Sequence, residues 1–227
     1  MIELYGLFIL IGIILATYTW VALTQRSTRS DIKWSIYSEI ILTIYLSAII
    51  SGKILYIMLD FDWNHENLIE SIQAGFSVLG ASFGGIVAYS YLYKKYCKIY
   101  NIQKALYTLP VAFPILHIFG RIGCYFSGCC GGIIHILNHN IPLQIASSTW
   151  YLLCFLLGFF AFSKLKNKKN IFLSPITIYS IFVALERFIF DFFREDSVLI
   201  ANTIMTKYQL ISFFYLAITI AVTKSKQ

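Results

Sequence analysis

Charge is what this sequence holds least of. Of its 227 residues, 13% are charged and 58% are hydrophobic, and the mean hydropathy is +0.71. A water-soluble domain is about 25% charged, so one soluble core cannot hide this much apolar surface. Acidic residues are scarce, 11 against 18 Lys and Arg, but the resulting net charge of +7 does not point to nucleic acid. The basic residues lie in short segments between apolar runs, and no basic-aromatic stripe is present; no nucleic-acid partner is expected. There is no basic stretch before the first apolar run and no small-residue cleavage site after it. Leu4 to Leu23 is therefore expected to be a retained span and not a signal peptide. No internal repeat and no soluble-looking segment interrupts the chain, so residues 1–227 are expected to form one transmembrane domain. Among the five cysteines there is no C-x-x-C pair, the usual spacing of zinc and thiol-redox motifs. No cofactor and no metal are assigned.

What is present in quantity is the long apolar run. About 20 such residues span a hydrocarbon core of about 30 Å. Run length places candidate spans near Leu4–Leu23, Ser35–Leu59, Ala74–Tyr93, Ala105–Phe119, Leu143–Phe162, Ile171–Phe193 and Met205–Val222. The fold class this predicts is all-α, a polytopic integral membrane bundle of about seven transmembrane helices.

The connecting segments alternate in charge. One set carries Arg26, Arg29 and Lys33, then Lys94, Lys95, Lys98 and Lys104, then Lys164, Lys166, Lys168 and Lys169, and finally Lys224 and Lys226. The other set carries Asp60, Asp62, Glu66 and Glu70, then Arg121, then Arg194, Glu195 and Asp196. The excess of Lys and Arg on the cytoplasmic side of membrane proteins predicts an outer N-terminus and a cytoplasmic C-terminus. The expected location is a bacterial cell membrane, crossed several times.

At the predicted outer face lies "HIFGRIGCYFSGCCGG", residues 117–132. It gathers one histidine, one arginine, three cysteines and five glycines between apolar runs. Lys53, Arg121 and Arg187 stand within or at the ends of spans, where a charge costs about 2.5–3.5 kcal/mol on insertion scales. Such residues face a protein interior or a wet cavity, or else they snorkel or form a structural pair. Asp191 follows Arg187 by one helical turn and Arg194 follows by three more residues, so "ERFIFDFFR" predicts Arg, Asp and Arg on one stripe. A planar guanidinium bonds two phosphate oxygens at once, so the arginines point to a phospholipid headgroup. The glycines permit either a close backbone approach to a ligand or close helix packing, and Gly120 and Gly123 are expected to break the fourth helix.

These motifs resemble the bacterial prolipoprotein diacylglyceryl transferases. "GRIGCYFSGCCGG" is similar to that family's G-R-x-G-N-F-x-N-x-E-x-x-G, with Arg121 and Gly132 on matching positions. "YGLFILIG" resembles W-Y-G-L-x-x-x-x-G and puts Tyr5 on the family's functional tyrosine. "GKILYIMLD" resembles G-x-R-x-G-Y with Lys53 for the arginine, and "GASFGGIVA" resembles G-x-S-F-H-G-G. "IPLQIASS" resembles P-T-Q-L-Y-E, with Gln144 on its glutamine. "ERFIFDFFR" resembles R-x-x-x-E-x-x-R with Arg187, Asp191 and Arg194, and "TKYQLIS" resembles T-x-G-Q-x-L-S. The shared order covers nearly the whole chain. Further departures stand out: Phe83 stands for a histidine, Cys124 for an asparagine, Cys129 for a glutamate and Ser147 for a glutamate. The chain looks like a branch reading H-x-x-G-R-x-G-C-x-x-x-G-C-C-x-G.

The resemblance implies an enzyme that moves a diacylglyceryl group from phosphatidylglycerol to a cysteine thiol in the signal-peptide segment of a prolipoprotein, with membrane lipids as its other partners. It implies that Arg121 and Arg187 stabilise the departing phosphate, that Tyr5 donates to the headgroup, and that Asp191 supports the arginines. Lys53, Arg194, Gln144, Gly132, Cys124, Cys129 and Cys130 are expected around the substrate. With Phe83 in place of the histidine, His117, four residues before Arg121, is the candidate base; a buried structural histidine is the other reading. His135 and His139 are expected to be solvated, and Cys97 and Cys154 to be ordinary buried or loop residues. Two other classes stay open for Cys124, Cys129 and Cys130: a thiol-redox protein, and a soft-metal site that also uses His117. A paralogue on the same fold with another acceptor is a further alternative.

Overall fold

The structure, a computed structural model, describes residues 2–28, 32–59, 76–96, 98–136, 139–164, 174–195 and 205–224. Several residues named from the sequence lie outside these: Arg29, the acidic group at 60–70, Cys97, Lys166, Lys168, Lys169, Asp196 and Lys226.

Seven α-helices occur among the described residues: α1 (Ile2–Thr28), α2 (Trp34–Leu59), α3 (Val78–Lys95), α4 (Tyr100–Ser127), α5 (Leu143–Lys164), α6 (Pro175–Phe190) and α7 (Lys207–Lys224). Each falls on one of the seven apolar runs. Four of them, α1, α2, α4 and α5, are long and apolar enough to cross a membrane; α7 carries a shorter apolar stretch. The architecture is all-helical, as expected, with one short hairpin inserted. A two-stranded antiparallel hairpin, β1 (Ile133–Ile136) and β2 (His139–Pro142), joins α4 to α5, with Ile134 opposite Ile141. β-Branched isoleucines favour extended backbone. A 3-10 turn, Asp191–Phe193, continues α6.

The exterior is more apolar than that of a soluble protein, and polar side chains share the interior with the apolar core. Leu7, Leu10, Ile14, Leu42, Leu156, Phe160 and Phe214 are exposed, while Thr24, Thr108, Thr177, Ser180, Gln209 and Thr219 are fully buried. An apolar exterior is what lipid as solvent selects, and each polar group buried beneath it must then bond within the protein. Such bonds are seen: Thr24 Oγ1 meets Thr108 Oγ1 at 2.9 Å, and Ser180 Oγ meets Tyr215 Oη at 3.2 Å.

The chain divides into two compact units. The first comprises Met1–Arg29 and Tyr107–Gln227. Leu23, Val111 and Phe162 form its apolar cluster, with Tyr107 and Phe155 packed against them. The Trp150 Nε1 donates to the Phe182 carbonyl at 2.9 Å and ties α5 to α6. Thr206 and Gln209 cap α7 reciprocally: Gln209 N donates to Thr206 Oγ1 at 3.1 Å and Thr206 N donates to Gln209 Oε1 at 2.9 Å.

The fourth helix corrects a boundary. The expected span ends at Phe119, with Gly120 and Gly123 as helix breakers. Instead α4 runs to Ser127 and both glycines lie inside it. A Cβ on Gly123 would lie 3.1 Å from Phe8 Cβ and 3.2 Å from Tyr5 Cδ2. The glycines let α1 and α4 approach closely.

The second unit, Ser30–Leu106, is built on α2 against α3. The "GASFGGIVA" segment lies on α3. A Cβ on Gly84 would come within 2.3 Å of the Ser47 carbonyl oxygen, so only glycine fits there. Ser47 Oγ donates to the Gly84 carbonyl at 2.8 Å, and Ser77 N donates to the Gly52 carbonyl at 3.1 Å. Lys53 follows Gly52 on α2 and is half-buried. At the other end of α3, Lys95 and Tyr96 both bond Glu39, at 2.5 and 2.7 Å.

Candidate active site

The first unit contains a cleft of about 190 Å³ including its open mouth. Arg121 enters it from α4, Glu186 and Arg187 from α6, and Asp191 and Arg194 from the turn after α6; Leu143 and Phe190 supply apolar walls. The sequence places Arg121 and Arg187 65 residues or more apart, and the fold unites them through one carboxylate. Arg121 Nη2 donates to Glu186 Oε1 at 2.5 Å, and Arg187 Nε lies 3.5 Å from Glu186 Oε2. Glu186 is 2% exposed, Arg187 6% and Arg121 9%. Charges this deep persist only when paired or when they await a ligand.

Ser147, on α5, donates to the same Oε1 at 2.7 Å. Oε2 has no hydrogen-bond donor among the described residues. Oε1 thus accepts two hydrogen bonds, while Oε2 is buried and faces the Arg187 charge without a hydrogen bond.

The arginine pairing differs from the expectation. Asp191 is not the ion-pair partner of Arg187. The α-helix gives way to a 3-10 turn at Asp191, which changes the stripe. Asp191 accepts a hydrogen bond from the Thr206 hydroxyl and faces Arg194, whose Nε lies 3.9 Å from Oδ1. The carboxylate beside Arg187 is its own neighbour, Glu186. The Arg187 guanidinium also lies over the Tyr208 ring, 5.6 Å from its centre. Three guanidinium groups against two carboxylates leave one positive charge in excess at the cleft.

The loop after α4 closes one side. Gly132 forms an antiparallel bridge with Arg194, and Glu195 N donates to the Gly131 carbonyl at 3.3 Å. Gly132 has φ +153, and a Cβ there would lie 2.2 Å from the Phe193 carbonyl oxygen. Glycine is required at this position. Gln144 Nε2 donates to the Cys129 carbonyl at 3.0 Å and so holds the loop, with no direct role at the cleft in this geometry.

The three loop cysteines form a cluster. Their sulfur atoms all lie within 4.8 Å of one another, with Cys124 buried, Cys130 half-buried and Cys129 exposed. A hydrogen bond from the Cys124 thiol, with Arg121 and Arg194 nearby, pushes the Cys130 thiol down to about 5. Burial pushes the Cys129 thiol up.

His117 lies one turn before Arg121 on α4, as expected once the helix persists. Its Nε2 is 2.8 Å from the Tyr179 hydroxyl, and its ring stacks on Tyr151 with centres 4.3 Å apart. It does not join the cysteine cluster. Tyr5, on α1, is partly buried and packs on Gly123. Lys53 belongs to the second unit. The side chains of His135 and His139 lie outside what the structure describes.

Sequence comparison shows the family. The family described as prolipoprotein diacylglyceryl transferase matches residues 1–224. The chain belongs to this family. A phosphatidylglycerol–prolipoprotein diacylglyceryl transferase of Clostridium tetani is 29% identical over 236 residues, covering 96% of this chain and 90% of its own length. A second transferase so named, from Clostridium perfringens, is 30% identical and covers 85% of this chain and 78% of its own length. One from Dehalococcoides mccartyi is 25% identical over 199 residues. This chain is thus a transferase of that family with apolar helices suited to a membrane.

Set against the family pattern, the departures acquire positions. Ser147, at a family glutamate, bonds Glu186. Cys124 and Cys129, at a family asparagine and glutamate, belong to the sulfur cluster. Glu186 itself was not among the residues singled out from sequence. The available signal was a carboxylate inside an apolar run directly before Arg187.

Proposed function

We propose that this protein transfers a diacylglyceryl group from phosphatidylglycerol to a cysteine thiol in the signal-peptide segment of a prolipoprotein. It would do so in a bacterial plasma membrane crossed by seven spans, with the N-terminus outside and the C-terminus in the cytoplasm. The observation that carries the reading is the cleft with three arginines, two carboxylates and one positive charge left over. A phosphodiester carries one negative charge and matches that excess.

In the reaction, the thiolate sulfur bonds the glycerol carbon that carries the phosphodiester. The carbon–oxygen bond breaks, and the electron pair leaves on the phosphate oxygen. Glycerol phosphate departs with more negative charge than it had as a diester. Arg121 and Arg187 meet that growing charge, and donors fixed before the reaction need no reorganisation as it develops. Arg194, held by Asp191 and by its bridge to Gly132, is the third donor. Glu186, paired with both Arg121 and Arg187, keeps the two guanidinium groups in position for the headgroup.

The thiol proton must leave, because the thiolate is the nucleophile. His117 is the base in this reading, with the Tyr179 hydroxyl fixing its ring. Tyr5 donates to the headgroup, and Lys53 is assigned to the substrate through its motif alone. Expression in a strain depleted of its own diacylglyceryl transferase tests the reading. Restored growth and lipoprotein maturation are expected; a folded, membrane-inserted protein that restores neither contradicts it.

A further inference from the structure

The cleft chemistry uses none of the three loop thiols, yet the fold gathers them. Cys124 lies in the last turn of α4, and Cys129 and Cys130 lie in the turn that leads to β1. In sequence they look unlike a metal motif. In space their sulfurs are all within 4.8 Å of one another. We propose that Cys124, Cys129 and Cys130 form a trigonal three-sulfur site for a soft monovalent cation, copper(I).

Geometry supports the ligand count. Three sulfurs around an ion at about 2.3 Å would lie about 4 Å apart, so closure requires movements of less than about 1 Å. Thiolates select copper(I) and zinc among the common ions, and structural zinc takes four ligands. Among the described residues no His, Asp or Glu joins the trio, and His117 is engaged with Tyr179 instead. Three sulfurs without a fourth ligand fit copper(I) better.

The backbone is shaped for the cluster. Cys130 is the single non-glycine residue with positive φ among those described, at 55°. A side chain with a Cβ adopts that region rarely, and strained residues concentrate at functional sites. The turn is pinned on two sides. Cys129 N donates to the Cys124 carbonyl at 3.1 Å, and Gln144 Nε2 donates to the Cys129 carbonyl at 3.0 Å. Exposed Cys129 offers the entry, and buried Cys124 closes the site. On binding, each thiol yields its proton and becomes a thiolate.

The test uses the full chain in detergent, with Cys97→Ser and Cys154→Ser so that only the trio remains. The protein is reduced and titrated without oxygen against copper(I) held by the chromophoric chelator bicinchoninate. One equivalent is expected to move from chelator to protein. X-ray absorption of the loaded protein is expected to show three sulfurs at about 2.3 Å. Each single serine variant should weaken uptake at least tenfold, and the triple variant should abolish it. The spectrum of the unmutated trio stands even if a variant misfolds. The proposal is overturned if the reduced trio draws no copper, if the triple variant retains it, or if the ion carries a nitrogen or oxygen ligand from the protein. A stable disulfide within the trio, with no copper uptake after reduction, also overturns it.

Discussion

Glu186 Oε1 is 2.5 Å from Arg121 Nη2, and both side chains are nearly inaccessible to solvent. The carboxylate serves two arginines from different helices and accepts a further bond from Ser147. It therefore holds the two arginines, the proposed phosphate ligands, in fixed positions.

Removing that carboxylate leaves two buried arginines without a counter-charge. Breaking a buried pair by deleting one partner costs about 3–5 kcal/mol. Glu186→Gln should therefore lower the melting temperature of the protein in neutral detergent. Phosphatidylglycerol should raise it again by more than it raises that of the wild type, because the lipid phosphate replaces the lost charge. An unchanged melting temperature in the variant would contradict the assigned pairing.

The two arginines should not tolerate lysine. Arg121→Lys and Arg187→Lys keep the charge but lose the planar fork. A charge-assisted hydrogen bond contributes about 1.5–3 kcal/mol, so turnover should fall about tenfold to a hundredfold per site while folding is retained. Wild-type turnover in both variants would reject the phosphate-clamp role.

The proposed base role of His117 is separable from its packing against Tyr151 and Tyr179. As the base, its loss in His117→Gln should lower turnover by about a hundredfold or more and remove the acid limb of the pH–rate profile. Tyr179→Phe should give a smaller loss with the limb retained. Full activity in His117→Gln would leave the ring as packing between Tyr151 and Tyr179.

Gly132 is a backbone requirement at the cleft. Gly132→Ala drives a methyl group into the Phe193 carbonyl and disturbs the bridge to Arg194. Activity should fall sharply along with thermal stability. A variant as stable and active as wild type would show that the bridge is not needed.

Much of this was legible in the sequence, for a physical reason. Run length near that of a bilayer core locates the seven helices of the described residues, because a helix bonds its whole backbone within one segment. Arg121, Arg187 and Arg194 stand out because charge in an apolar run is costly. Glu186 did not stand out, since adjacent residues on a helix point to different faces, and its long side chain bridges the difference. Gly120 and Gly123 read as helix breakers but serve α1 packing; glycine alone does not distinguish the two. Sequence left a site on Cys124, Cys129 and Cys130 only as one of several readings, because chain spacing says nothing of how a helix end turns back on itself. The switch from α-helix to 3-10 turn at Asp191, which moves that carboxylate from Arg187 to Arg194, was equally invisible to a helical stripe.

The orientation proposed from Lys and Arg placement is open to direct labelling. With native cysteines replaced, a cysteine at Asn140 should react with an impermeant reagent on whole cells, and one at Lys98 should not. The reverse pattern would invert the assignment.

The most direct test of the central reading is transfer by the purified protein. Phosphatidylglycerol and a peptide bearing a single signal-peptide cysteine are supplied together, and products are read by mass. The peptide should gain one diacylglyceryl group through a thioether, with one glycerol phosphate released for each peptide modified. A folded protein that binds phosphatidylglycerol yet forms no thioether and releases no glycerol phosphate would contradict the account.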